Sequence, residues 1–167
     1  MSNPEKILHF EKFNFYSVCL IVGAVTFFYL YTLISNLVYT PDKVTIVELI
    51  VSVILISAMF FILANFFQLK LTMTDHYIEA KYGIFKKKVA LKDILSLKPH
   101  EYKFSDFWGW GIRGNFKGTV AYNIPGDDYK GLLIEYKSGN KDKKLFISSR
   151  EPEKIAGLYN GLIDIDR

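Results

Sequence analysis

The stretch "DFWGWGIRGNF", residues 106–116, holds both tryptophans of the chain and three glycines, Gly109, Gly111 and Gly114, in the spacing G-x-G-x-x-G. Glycines so spaced let a backbone close on a pyrophosphate, whose charge is held by the N-terminus of the next helix. That chemistry needs a strand before the glycines and a helix directly after them. Gly114 is instead succeeded by "NFKGTVAYNI", β-branched and aromatic with a glycine inside it. This segment reads as a strand, so a dinucleotide site is not expected. A strand sorts the same residues differently: Trp108, Trp110 and Ile112 to one face, Gly109, Gly111 and Arg113 to the other. Two readings stay open. In the first, the tryptophans fill a core or a membrane contact, and the glycines let the strand coil tightly. In the second, Gly109 and Gly111 floor a groove in which Arg113 holds a carboxylate, phosphate or carbonyl. Tyr122 and Asn123, on the neighbouring strand, are then the companions of Arg113.

Other reactive side chains are scattered. His9, His76 and His100 fall in no H-x-x-x-H pattern, and no Ser, Cys or Asp is placed by a motif to complete a triad. Asp127 and Asp128 come after Pro125-Gly126 and read as a turn. The one cysteine, Cys19, lies in an apolar run, which leaves no disulfide framework and no Cys/His metal site. The expectation is a protein that is not an enzyme, with no cofactor and no metal.

The elements that position these residues fall into two regions. Half of the 167 residues are hydrophobic, yet 23% are charged and the net charge is +4. Residues 1–67 hold three basic and four acidic side chains, so all of the basic excess lies in residues 68–167. Residues 15–39 run without a charge, and so do residues 49–67. At about 1.5 Å per residue each crosses a hydrocarbon core of about 30 Å, giving spans of about 15–39 and 45–67. Aromatic residues crowd their ends, as at membrane interfaces. The first span is too long for the apolar part of a signal peptide, and Glu5 and Glu11 precede it, so cleavage is not expected. The link "TPDKV", residues 40–44, has Pro41 to stop one helix and Asp42 to start the next. Glu48 then sits near a helix N-terminus, where its charge is favoured. The lysines after the second span predict that both termini of this hairpin are cytoplasmic. The tail "ILHFEKF", residues 7–13, is expected to lie along the membrane as a short amphipathic turn.

From residue 69 the apolar pattern alternates. "LKLTMT", "YIEAKYG", "KKKVAL", "ILSLKPHEY", "WGWGIRGNF", "GTVAYNIPG", "GLLIEYK" and "KLFISSR" read as seven or eight short antiparallel strands. Ser149 is placed to cap a final helix with Glu151, Pro152 and Glu153 in its first turn. Its apolar face is Ile155, Leu158, Tyr159 and Leu162. Strands this short predict an α+β fold, with a rolled sheet or barrel closed by the C-terminal helix.

The pattern of a threonine-rich strand, a turn, "YGIF", a basic strand and an "L-x-D-I" return resembles the opening of bacterial pleckstrin-homology-like (PH-like) domains, often joined to two membrane helices. "GWGIRG", "AYNIPG", "GLLIEYKSG" and "ISSREPEKIAGLYNGL" resemble the later half of a related membrane-attached group of uncharacterised function. The resemblance covers roughly residues 69–163. It implies a PH-like barrel over residues 68–167, behind a tail and hairpin over 1–67, at a bacterial inner membrane. It carries no reaction and no assigned binding residue.

The functional expectation is a non-catalytic binding or scaffolding module held at the inner membrane face, with a protein or peptide partner. Trp108, Gly109, Trp110, Gly111, Arg113, Tyr122 and Asn123 are its candidate site. One alternative is a module binding anionic lipid headgroups through Lys81, Lys86, Lys87 and Lys88, each lysine worth about 1 kcal/mol near an anionic leaflet. Another is an accessory subunit packing through its helices in a membrane complex. Nucleic acid is not an expected partner, because no stacking motif interleaves with basic residues.

Overall fold

The computed structural model describes residues 5–41, 44–107, 109–115, 118–124 and 130–165. Asp42, Lys43, Trp108 and the turn at Pro125–Asp128 lie outside the described residues. The chain forms two compact units, Asn14–Phe67 on the one hand and Met1–Phe13 with Gln68–Arg167 on the other.

The first unit is a helical hairpin, α1 (Tyr16–Tyr39) and α2 (Ile46–Phe66). Two helices are therefore long and apolar enough to cross a membrane, Val18–Tyr39 and Ile46–Phe66. Large apolar side chains such as Leu20, Phe27, Ile46 and Phe60 are bare on them, a surface that water would penalise and lipid would not. Polar groups are satisfied inside the pair. Ser52 Oγ donates to Glu48 O at 2.6 Å, which leaves Tyr29 Oη as the donor in its 2.7 Å bond to Ser52. Thr26 Oγ1 lies 3.0 Å from Met59 Sδ. Thr45, rather than Asp42, caps α2. Its hydroxyl accepts from the N–H of Glu48, and the Glu48 carboxylate accepts from the N–H of Thr45 at 2.8 Å, a reciprocal capping box.

The second unit is built of sheets. Strands β1 (Ile7–Asn14), β2 (Gln68–Thr74), β3 (Tyr77–Tyr82) and β4 (Phe85–Ala90) form one sheet in the order β1-β2-β3-β4. Strands β5 (Ile94–Glu101), β6 (Gly111–Gly114), β7 (Thr119–Asn123), β8 (Lys130–Ser138) and β9 (Lys141–Ser148) form a second, in the order β5-β8-β9-β7-β6. A short helical turn, α3 (Phe104–Phe107), joins β5 to β6, and α4 (Pro152–Ile165) comes after β9.

Three expectations are corrected here. The tail is strand β1 of the first sheet, not an amphipathic turn. The sheet-rich unit has two separate sheets and no closed barrel among the described residues, because β1, β4, β5 and β6 all end a sheet unpaired. The strands are not all antiparallel, since β7 runs parallel to β9 with Ala121 opposite Phe146. Strand β8 intervenes in the chain between β7 and β9, and that crossover sets the direction.

Period-two alternation accounts for the core. Leu69, Leu71 and Met73 of β2, and Ile78 and Ala80 of β3, are fully buried. Strand β9 is buried on both faces, through Leu145, Phe146 and Ile147 in succession. Helix α4 buries Ile155 and Tyr159, and the Tyr159 hydroxyl donates to Ile94 O at 3.2 Å, tying it to β5. Its first intrahelical bond runs from the N–H of Ile155 to Glu151 O. The cap is therefore Glu151; Ser149 stands two residues earlier and accepts from the N–H of Glu151.

Candidate functional site

The glycine–tryptophan segment enters strand conformation only at Gly111. Gly109 and Trp110 form a bend before it. Gly109 has φ +137° and Gly111 φ +91°, a region that side chains with a Cβ rarely adopt. The glycines are present because the backbone bends there. The bare face beside Gly109 is occupied from within. A Cβ on Gly109 would lie 3.3 Å from Arg113 Nε, and that same Nε donates to Trp110 O at 3.0 Å. Arg113 thus folds back over the bend and spends a donor on its own backbone.

The expected companions separate. Strand β7 is the neighbour of β6, with Gly111 opposite Asn123, Ile112 opposite Tyr122 and Arg113 opposite Ala121. Asn123 shares the face of Arg113, but Tyr122 is on the other face. There its ring stacks on Tyr82 of the first sheet, centroids 6.1 Å apart, and burial raises its pKa above the ordinary phenol value. The Tyr82 hydroxyl donates to Asn123 O at 2.8 Å. The Asn123 amide donates to Gly109 O at 2.9 Å, pinning the bend to the sheet, while its fully buried Oδ1 has no partner among the described residues. Trp110 stays half exposed.

On the face of the second sheet that carries Ala121 and Phe146, Tyr102 and Phe107 close over the strands. Tyr102 meets Phe146 at 4.7 Å between centroids, and Phe107 at 5.6 Å. Asp106 holds α3 by accepting from the N–H of Lys103 at 2.8 Å. Next to these rings opens a cleft of about 630 Å³, lined among others by His100, Ser105, Phe107, Lys144 and Phe146. Asn115 and Thr119, at the adjoining ends of β6 and β7, complete the wall. Its floor is aromatic and its rim carries both charge signs. The strand readings supplied residues on several of its walls, among them His100, Asn115, Thr119 and Phe146, but not its cover, because nothing in "KFSDF" marks a helical turn that folds over a sheet.

The four lysines named for the membrane surface are divided. Lys88 Nζ sits 3.2 Å from the centroid of Tyr77 and 3.9 Å from Glu5. The Tyr77 hydroxyl donates to the same Glu5, and that bond raises the Tyr77 pKa. Lys87 reaches the ring of Tyr136 at 5.1 Å. Lys81 and Lys86 stand opposite each other on β3 and β4, and Lys70 of β2 stands opposite Lys81.

A polar junction joins β1 to the start of α4. The Glu11 carboxylate accepts from Ser149 Oγ at 2.6 Å, from His9 Nε2 at 2.9 Å and from the N–H of Arg150 at 2.9 Å. His9, Glu11 and Ser149 are all buried, and the Arg150 guanidinium lies 4.7 Å from the Phe13 ring. Histidine, acid and serine meet here, but the serine hydroxyl donates to the carboxylate rather than to the imidazole. A nucleophile needs its base within hydrogen-bond reach, so this arrangement fastens rather than reacts. No group of three or more potential metal ligands occurs among the described residues.

Comparison with protein-family models, curated proteins and solved structures finds no match to this chain.

Proposed function

We propose that this chain is a membrane-anchored binding module whose sheet-rich unit, PH-like in kind, presents a peptide site at the cytoplasmic face of a bacterial inner membrane. In this reading the hairpin α1–α2 is the anchor and both of its ends are cytoplasmic, as the lysines after α2 favour. Two sheets and a C-terminal helix that packs on β5 support the PH-like assignment. The role is recruitment, not catalysis.

One observation carries the choice of site: the cleft between α3 and the second sheet. Its volume falls in the range that binds small ligands and short peptides, and it combines an apolar floor with a few polar groups. It reaches the end of β6, which terminates its sheet with no proline and a single charge, Arg113. An edge so lightly guarded suits pairing with an extended peptide. Half-exposed Trp110 beside it is a suitable anchor, tryptophan being favoured at binding hot spots. The site is therefore shifted from the Gly109–Arg113 face, which the arginine fills, to the cleft beside it.

The test is photo-crosslinking in living cells, with the probe at Ser105 on the rim and, as a control, at Lys141 at the start of β9. A discrete protein adduct from Ser105 alone supports the cleft and names the partner. The same adducts from both positions, or none from Ser105, would remove the cleft from consideration.

A further inference from the structure

We propose that the cross-strand row Lys70–Lys81–Lys86 is a docking surface for anionic lipid headgroups of a bilayer. It is separate from the cleft, and its failure would leave the peptide site untouched.

The row arises from the register. Lys70 pairs with Lys81 and Lys81 with Lys86, so three ammonium groups stand directly opposite one another on three adjacent strands. Like charges so placed repel, at side-chain spacings of about 5 Å. The residues before and after them along β2 and β3, Leu69, Leu71, Ala80 and Tyr82, are buried, which turns all three lysines to the outer face. Among the described residues none of the three has a carboxylate within 4.0 Å, although Glu79 lies two residues from Lys81 on the same face. Elsewhere the fold does pair lysines: Lys144 with Glu135 at 2.6 Å, Lys154 with Glu151 at 2.8 Å, Lys88 with Glu5. A self-repelling row without a counter-charge is stabilised by an external anion.

Three further features favour a bilayer as the source of that anion. Lys70 is the fourth residue after α2, a helix apolar enough to span a membrane. Ile84, in the turn between β3 and β4, is 69% exposed beside Phe85 and Lys86, and exposed Phe10 and Lys12 lie on β1, the next strand of the sheet. Lysines interleaved with bare apolar side chains suit the headgroup region. Each lysine near an anionic leaflet adds roughly a fivefold bias toward contact.

The test uses the full chain in nanodiscs of phosphatidylcholine alone and of phosphatidylcholine mixed with phosphatidylglycerol, with amine labelling read by mass spectrometry. Lys70, Lys81 and Lys86 are expected to label several-fold less in the anionic discs, with the difference disappearing at high salt. Lys141 and Lys143 on β9 should label equally in both. Lys81→Gln should weaken the protection of Lys70 and Lys86 while the circular dichroism spectrum is kept. Equal labelling of the row in both discs would overturn the proposal. So would protection of the row by soluble polyglutamate in neutral discs that exceeds the protection given by the anionic lipid, which would make the partner an acidic protein.

Discussion

The carboxylate of Glu11 accepts a hydrogen bond from the hydroxyl of Ser149 at 2.6 Å, joining a strand that precedes the helical hairpin to the residue that opens the approach to α4. Both side chains are buried, and the second carboxylate oxygen accepts from the backbone of Arg150. One acidic side chain thus satisfies three donors that folding has removed from water.

Glu11→Ala should therefore be among the most damaging changes outside the apolar core. It leaves the Ser149 hydroxyl, the Arg150 N–H and His9 without their acceptor, at a cost of about 2–4 kcal/mol. Ser149→Ala leaves Glu11 its His9 and Arg150 donors but takes the acceptor from the N–H of Glu151, and should cost less, about 1–2 kcal/mol. Denaturant unfolding of the full chain in detergent would rank them; equal stabilities would mean that the junction is not fastened in solution.

The bend at Gly109 yields a second expectation. Gly109→Ala should destabilise by about 1–3 kcal/mol, because alanine is strained at φ +137°. Its Cβ would also press on the Arg113 guanidinium at 3.3 Å. Adding Arg113→Ala removes the contact and leaves the strain. The double variant should recover only a few tenths of a kcal/mol, and full recovery would show that crowding, not backbone conformation, selects glycine.

Gly131 is more constrained still, although its backbone angles are ordinary. A Cβ there would run into the carbonyl of Ile147 and the ring of Phe146. Both belong to β9, and Gly131 pairs with Ser148 in the ladder. Gly131→Ala must displace backbone and should cost roughly 3 kcal/mol or more, the upper range for single changes. Amide exchange would show it as faster opening of β8 and β9 than of β2 and β3.

How far this was legible in the sequence depends on which side of each strand is polar. The hairpin helices were readable from continuous apolarity, α4 from its one apolar face, β2 and β3 from alternation, and β9 from the short apolar run Leu145–Ile147. Strand β1 was not, because its alternation is inverted: Ile7 and Phe10 are exposed while His9 and Glu11 are buried. Residues 138 positions away make that burial tolerable, and no local pattern carries them. The parallel pairing of β7 with β9 is likewise a fact of chain path. Adjacency of Tyr122 and Asn123 to β6 was legible, but register set their faces, and one step moves a side chain across the sheet. Arg113 was correctly marked as a neighbour of the bare glycine face; that it fills that face itself depends on rotamer.

Alkaline titration offers a check on packing. Tyr122 and Tyr159 are held above the ordinary phenol pKa by burial, and Tyr77 chiefly by its bond to Glu5. A raised folded-state pKa contributes stability present below the unfolded value of about 10 and lost as pH rises through the folded one. Unfolding should thus become easier above about pH 10. Glu5→Ala should return Tyr77 toward the ordinary value in the phenolate absorbance and leave Tyr159 unmoved. An unchanged titration would place Tyr77 away from Glu5.

Lys81 should be a position where stability and surface chemistry oppose each other. Lys81→Glu sets a carboxylate between two opposing ammonium groups, Lys70 and Lys86. It should raise stability by about 0.5–1 kcal/mol, an outcome seen as a higher unfolding midpoint in detergent. A fall in that midpoint would mean that the three side chains do not share a face.

Strand β1 is synthesised before the hairpin, yet its sheet neighbour β2 emerges about fifty residues later. Translation at roughly 5–20 residues per second makes that a delay of seconds. Ser149, which seals Glu11, comes about eighty residues after β2 begins. Until then a segment bearing an imidazole, a carboxylate and four bulky apolar residues, Ile7, Leu8, Phe10 and Phe13, lacks part of its native surroundings. The first strand of the chain is thus the last to be sealed, and its burial is complete only once the start of α4 has been made.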